Sequence, residues 1–236
     1  MRADLFNRVT WQLKTRSGVK VYAWLPVFGF DFGNDTGISP SDPRARRRVR
    51  EIYEDMAAYS HLDGLAFLED ETLAATSDAS PEVRIEFTRE LTQAALVEEA
   101  PLATVGSIAV PPVLDPASSQ RFARDLSLAL QAYDHAGIVA LPPPEADDRM
   151  SWLRKLTEAV GQHPDGLRRS VFELPTLDFH NGNRPIKSQT LREQMRLLVS
   201  SGVLNFGYFP DDFINDHPKA QLVHGAISAK TYPFIR

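Results

Sequence analysis

Cysteine is absent from all 236 residues of the chain. Disulfides, thiolate metal sites and a cysteine nucleophile are thereby excluded. No apolar run approaches the roughly 20 residues that a membrane-spanning helix needs. The N-terminus, Met1-Arg2-Ala3-Asp4-Leu5, has no apolar core of the kind an export signal carries. Neither a G-x-G-x-x-G turn nor a G-x-x-x-x-G-K-[ST] loop follows any apolar run, which disfavours a nucleotide-binding α/β protein. No serine sits in a G-x-S-x-G elbow. His61, His135, His163, His180, His217 and His224 show no paired spacing such as H-x-x-x-H, so neither a metal site nor a cofactor is expected. Excess positive charge is also lacking, the formal net charge being −5. A duplex nucleic acid would want a clustered basic face. The one dense basic run, Arg44, Arg46, Arg47, Arg48 and Arg50, opens a predicted helix and reads as its solvated face.

What the chain does have is 43% hydrophobic residues, enough for a sizeable core, arranged as helices alternating with short apolar runs. Leu5, Val9 and Leu13 recur at helical spacing, which predicts a helix over 2–16. Further helices are expected from Pro43 to Tyr59, from Pro81 to about Glu99, and over 117–135, 149–162 and 188–201, with a short one after Asp211. Strands are expected at about 19–25, 64–69, 103–110, 137–141, 170–174 and 203–208. These strands are continuous apolar runs, as strands buried on both faces of a helix-covered parallel sheet are. A doubly wound sheet and a barrel both fit this order. Carboxylates and aromatics gather after the C-terminal ends of several strands, where barrel enzymes build their sites, and this favours a (β/α)₈-type barrel in one domain over 1–236.

Three clusters could carry chemistry. Phe67-Leu68-Glu69-Asp70-Glu71 places three carboxylates at a strand end, where like charges push one pKa up and create a proton donor. Phe172-Glu173-Leu174 puts a charge inside an apolar strand, which is costly unless it meets an ion pair or a polar pocket; Asp178-Phe179 follows. Asn205-Phe206-Gly207-Tyr208-Phe209-Pro210-Asp211-Asp212-Phe213 sets aromatics beside acids, which suits sugar binding; one acid, Asp211 or Asp212, can cap a helix start while the other binds. Trp24 ends the first strand as a core plug or a stacking platform. Glu145 follows Pro142-Pro143-Pro144 and could face the same mouth.

The blocks Met1-Arg2-Ala3-Asp4-Leu5-Phe6-Asn7-Arg8-Val9, Trp11-Gln12-Leu13, Val19-Lys20-Val21-Tyr22-Ala23-Trp24-Leu25-Pro26, Ile52-Tyr53-Glu54-Asp55-Met56, Asp63-Gly64 and Phe172-Glu173-Leu174, with the aromatic–acidic block at 205–213, resemble the C-terminal domain of bacterial poly-β-1,6-N-acetylglucosamine N-deacetylases. That resemblance covers almost the whole chain. It implies a barrel that binds partly deacetylated poly-β-1,6-N-acetylglucosamine and in some members hydrolyses it, in the periplasm. It also implies two further strands ahead of Met1 and a separate deacetylase domain, so the chain is expected to be a fragment without deacetylase activity. The family pattern F-H-D-D-A stands here as Phe67-Leu68-Glu69-Asp70-Glu71. M-P-Y-M-E stands as Leu141-Pro142-Pro143-Pro144-Glu145, and F-E-L-Q…D-W as Phe172-Glu173-Leu174-Pro175…Asp178-Phe179. On this basis Asp70 is the expected acid with Glu69 supporting it. Trp24, Glu145, Glu173, Asp178, Tyr208 and Asp211 are the expected substrate-binding residues. Asp70, Glu145, Glu173 and Asp211 are expected on one rim.

Overall fold

A computed structural model describes residues 5–25, 27, 42–67, 80–96, 102–111, 114–144, 146, 148–212 and 214–227. The chain divides into two compact units, Met1–Ser107 with Gln131–His135, and Ile108–Leu130 with Ala136–Arg236.

The first unit alternates helix and strand: α1 (Leu5–Ser17), β1 (Tyr22–Leu25), α2 (Pro43–Tyr59), β2 (Gly64–Phe67), α3 (Pro81–Ala94) and β3 (Ala103–Ile108). The helices begin where side chains replace missing backbone partners. Asp42 caps α2 by accepting from the Arg44 amide, Ser80 caps α3 by accepting from the Val83 amide, and a proline opens each helix where its missing N–H costs nothing. β1, β2 and β3 pair in parallel, with Ala23 beside Leu65 and Leu65 beside Thr104. Ala23, Leu65 and Phe67 share one face of this sheet, and with Val49, Tyr53, Phe87 and Leu91 they form the core. The Tyr53 ring stacks on Phe67 at 5.9 Å. Two glycines let rings lie against the strands. A Cβ on Gly64 would come within 2.3 Å of the Tyr22 ring, and one on Gly106 within 2.1 Å of Tyr133. The Tyr133 hydroxyl is in turn 2.6 Å from Thr88 Oγ1.

The basic run on α2 is largely neutralised. Arg46 pairs with Glu90 and lies over the Phe87 ring, while Arg47 and Arg50 pair with Glu51 and Glu54 one turn on.

In the second unit α4 (Pro116–Ala132) leads to β4 (His135–Val139), α5 (Arg149–Gly161), a single turn α6 (Gly166–Arg169), β5 (Ser170–Pro175), α7 (Ser188–Ser200), β8 (Asn205–Phe209) and α8 (Ala220–Ile227). Between β5 and α7 a two-residue antiparallel pair, β6 (Leu177–Asp178) and β7 (Arg184–Pro185), closes through Gly182 and Asn183. Both turn residues have positive φ, 65° and 55°, the conformation that glycine and asparagine tolerate best. β4, β5 and β8 are parallel neighbours. Side chains alternate between faces along a strand, and paired residues of parallel strands share a face. Ala136, Ile138, Ser170, Phe172 and Leu174 therefore lie on one face, all fully buried. α5 buries Leu153, Leu156 and Val160 to the same degree, and α7 buries Leu191, Met195 and Leu198. At about 25 cal/mol per Å² of apolar area, each such side chain contributes roughly 1.5–3 kcal/mol.

All the expected strands occur, shifted by up to three residues at their ends. α3 stops at Ala94 rather than near Glu99, and the final helix begins at Ala220 rather than soon after Asp211. Between those points Asp212 forms a bridge with His217. The β6–β7 pair and the α6 turn are too short to leave a periodic signature. Among the described residues no helix is long and apolar enough to cross a membrane.

Candidate functional site

Two residues before the end of β5, Glu173 points to the face opposite the buried Phe172 and Leu174. It is partly buried as a residue, but its Oε2 is inaccessible and has no hydrogen-bond partner among the described residues. The physical consequence follows from desolvation alone: burial pushes the carboxyl from 4.5 to about 7. A group that holds its proton near neutrality can donate it, or donate a hydrogen bond, at working pH. Gly207 of β8 lies directly beside Glu173. A Cβ placed on Gly207 would have nothing within 4 Å among the described residues.

Two residues along β8, Phe209 shares that face. Its ring stacks with Phe179 at 6.1 Å and 26°, and Phe179 remains 41% exposed. The segment carrying Phe179 is tied down on its other side. Arg149, the first residue of α5, bonds to Asp178 Oδ2 at 2.6 Å, and the Asn181 and Asn183 amides both donate to the Asp178 carbonyl at 3.0 Å. The Arg149 hydrogen bond holds the Asp178 carboxyl below its usual range.

Thr176 joins the ends of β5 and β8. Its amide donates to the Phe209 carbonyl at 2.8 Å and its hydroxyl to the Pro210 carbonyl at 2.6 Å. Its own carbonyl accepts the Ile186 amide at 2.8 Å and lies 3.2 Å from His217 Nε2. Asp212 holds the following turn by accepting from the backbone and side-chain nitrogens of Asn215 at 3.1 and 2.7 Å.

The expected site residues thus fall in different surroundings. Glu173 has a buried Oε2 and, among the described residues, no ion pair. Asp178 is committed to Arg149. Tyr208 pairs with Leu174, which turns it to the face opposite Glu173, and burial followed by the charge of Asp211 raises its phenol pKa. Asp211 is exposed two residues past β8, while Asp212 is the acid that holds a turn. Trp24, in the first unit, shares a face with Ala66 away from the core and is 51% exposed, so it plugs no core. Glu69, Asp70 and Glu145 lie outside the described residues. Sequence reasoning named Gly207 and Phe209 only as part of the 205–213 block and passed over Thr176 and Arg149. Their part depends on inter-strand register, which a single sequence does not display.

Three kinds of likeness bear on this geometry. Residues 1–37, 33–85 and 82–209 match the family described as hypothetical glycosyl hydrolase family 13. The poly-beta-1,6-N-acetyl-D-glucosamine N-deacetylases of Escherichia coli strain K12 and of Escherichia coli O157:H7 are each 32% identical over 293 residues, covering 99% of this chain and 44% of theirs. The chain therefore spans less than half the length of these curated relatives. The solved PgaB (BpsB) glycoside hydrolase domain from Bordetella bronchiseptica superposes with a TM-score of 0.77 at 33% identity, over 98% of this chain and 82% of that one. A GH18 chitinase from Pseudoalteromonas aurantia shares the fold at a TM-score of 0.54 and 16% identity, over 89% of this chain and 76% of its own. The architecture is accordingly that of a (β/α) barrel-type domain of six parallel strands with covering helices.

Proposed function

This chain belongs to hypothetical glycosyl hydrolase family 13, and from that premise we propose that it binds partly deacetylated poly-β-1,6-N-acetylglucosamine and hydrolyses it. The observation that carries the reading is the similarity, over 98% of the chain, to a PgaB-type glycoside hydrolase domain. The curated relatives are named for the same polymer. The periplasm is the compartment that accords with this reading, and the whole chain is taken as one barrel-type domain.

Glycosidic cleavage needs a carboxylic acid that protonates the leaving oxygen and a second group that stabilises or attacks the oxocarbenium-like centre. We assign the acid to Asp70, with Glu69 supporting it. Trp24, Glu145, Glu173, Asp178, Tyr208 and Asp211 are assigned to substrate binding. A second reading, binding without cleavage, draws on the block Phe67-Leu68-Glu69-Asp70-Glu71, which stands where the family pattern has F-H-D-D-A.

The test is release of reducing ends from the partly deacetylated polymer by the chain and by Asp70→Asn. Loss of a general acid lowers the rate on the order of 10²–10⁴-fold. Cleavage unchanged by Asp70→Asn removes Asp70 from the mechanism. Binding with no cleavage by the unsubstituted chain selects the second reading.

A further inference from the structure

Asp211 is an exposed acid two residues past β8, and the peptide groups on both sides of it are tied, directly or through His217, to one buried residue. On the N-terminal side the Thr176 hydroxyl donates to the Pro210 carbonyl at 2.6 Å, which fixes the plane of the peptide leading into Asp211. On the C-terminal side the Asp212 amide donates to the His217 carbonyl at 2.8 Å, and the His217 amide returns to the Asp212 carbonyl at 2.9 Å. His217 Nε2 in turn lies 3.2 Å from the Thr176 carbonyl. The two arms of this clamp therefore meet at Thr176, which is only 1% exposed. A buried group that loses its partner finds no water in exchange, so such a clamp resists opening.

With a peptide plane fixed on each side, the backbone of Asp211 has little freedom left, although its side chain is in solvent. An acid on an ordinary loop loses backbone freedom when a ligand orders it, and affinity falls by that amount; one held in advance does not. Asp178 is fixed by other means, through Arg149 and the Asn181 and Asn183 amides. Resting on the polymer reading above, we propose that Thr176, with His217 as its second arm, is a positioning residue for Asp211. It is too deeply buried to touch a sugar, and it acts by presenting the Asp211 carboxylate to the polymer with its backbone already ordered.

Isothermal titration of the whole chain with partly deacetylated β-1,6-linked N-acetylglucosamine oligosaccharides, run as a double-mutant cycle, tests this. Asp211→Asn measures what the carboxylate contributes. Thr176→Val removes the hydroxyl and keeps the shape, and it should weaken binding roughly 3–10-fold; Thr176→Ser keeps the hydroxyl and should stay within about twofold of wild type. His217→Ala keeps the backbone bridge and removes the ring, and it should weaken binding about 2–5-fold. In the Asp211→Asn background neither Thr176→Val nor His217→Ala should weaken binding further, because the group they position is gone. A merely structural role predicts that the losses add. Circular dichroism at the titration temperature checks that each variant is folded, and if Thr176→Val is not, the His217→Ala arm of the cycle decides. Additive losses, or wild-type affinity in Asp211→Asn or in both Thr176→Val and His217→Ala, overturn the positioning role and leave the polymer reading intact. Absence of binding by the unsubstituted chain overturns both.

Discussion

Glu173→Gln should stabilise the folded chain in alkaline solution and leave it unchanged in acid. In the unfolded chain the carboxyl loses its proton near 4.5, whereas in the folded chain burial holds it to about 7. Between these values the folded state binds more protons than the unfolded one, so stability falls as pH rises, and it stops falling once both states are ionised. Each pKa unit is worth about 1.36 kcal/mol, so the full separation costs wild type about 3 kcal/mol at pH 8 relative to pH 4. Glutamine has nearly the same shape and pays no such cost. Urea titrations of both proteins at pH 4 and pH 8 isolate the effect, because every other titrating group cancels in the difference between them. The variant's advantage should grow from near zero to about 3 kcal/mol, or roughly 6–12 °C in melting temperature for a chain of this size. A difference that stays constant between the two pH values would refute the reasoning, since Glu173 would then have the same pKa in both states.

Gly106→Ala should destabilise the first unit by about 1–3 kcal/mol, because its methyl would meet the Tyr133 ring at 2.1 Å and the ring is held by Thr88; the midpoint of urea unfolding measures it. Arg149→Ala should cost about 1 kcal/mol or less, as befits a partly exposed pair. Its clearer readout is faster hydrogen exchange at the Asn181 and Asn183 amides, which bond to the Asp178 carbonyl.

Strand positions were legible because short strands of a helix-covered parallel sheet read as continuous apolar runs, as in Leu65-Ala66-Phe67, buried throughout, and in Val171-Phe172. The proline-initiated helices were legible because proline is tolerated only in the first turn, which gave the start of α2 at Pro43 and of α3 at Pro81. Glu173 stood out for the same reason in reverse, a charge where every neighbour is apolar. The side on which Tyr208 lies was not legible. It depends on Tyr208 pairing with Leu174 rather than Glu173, and a slip of one residue would reverse it. The Arg149–Asp178 pair was hidden as well, since it joins residues 29 apart that no periodicity relates.

The bonds at Thr176 tie together segments that a diagram of the chain would show as independent loops. One residue engages the exit of β8 with its amide and hydroxyl, and Ile186 and His217 with its carbonyl. Loosening any one of these strips a partner from a group with no access to water, because Thr176 is buried. The rim on this side therefore opens cooperatively or not at all. Sequence drift there is constrained by length as well as by composition: besides the roles of Asp178, Phe179, Gly182 and Asn183, the number of residues between 176 and 186 must return the Ile186 amide to the same carbonyl.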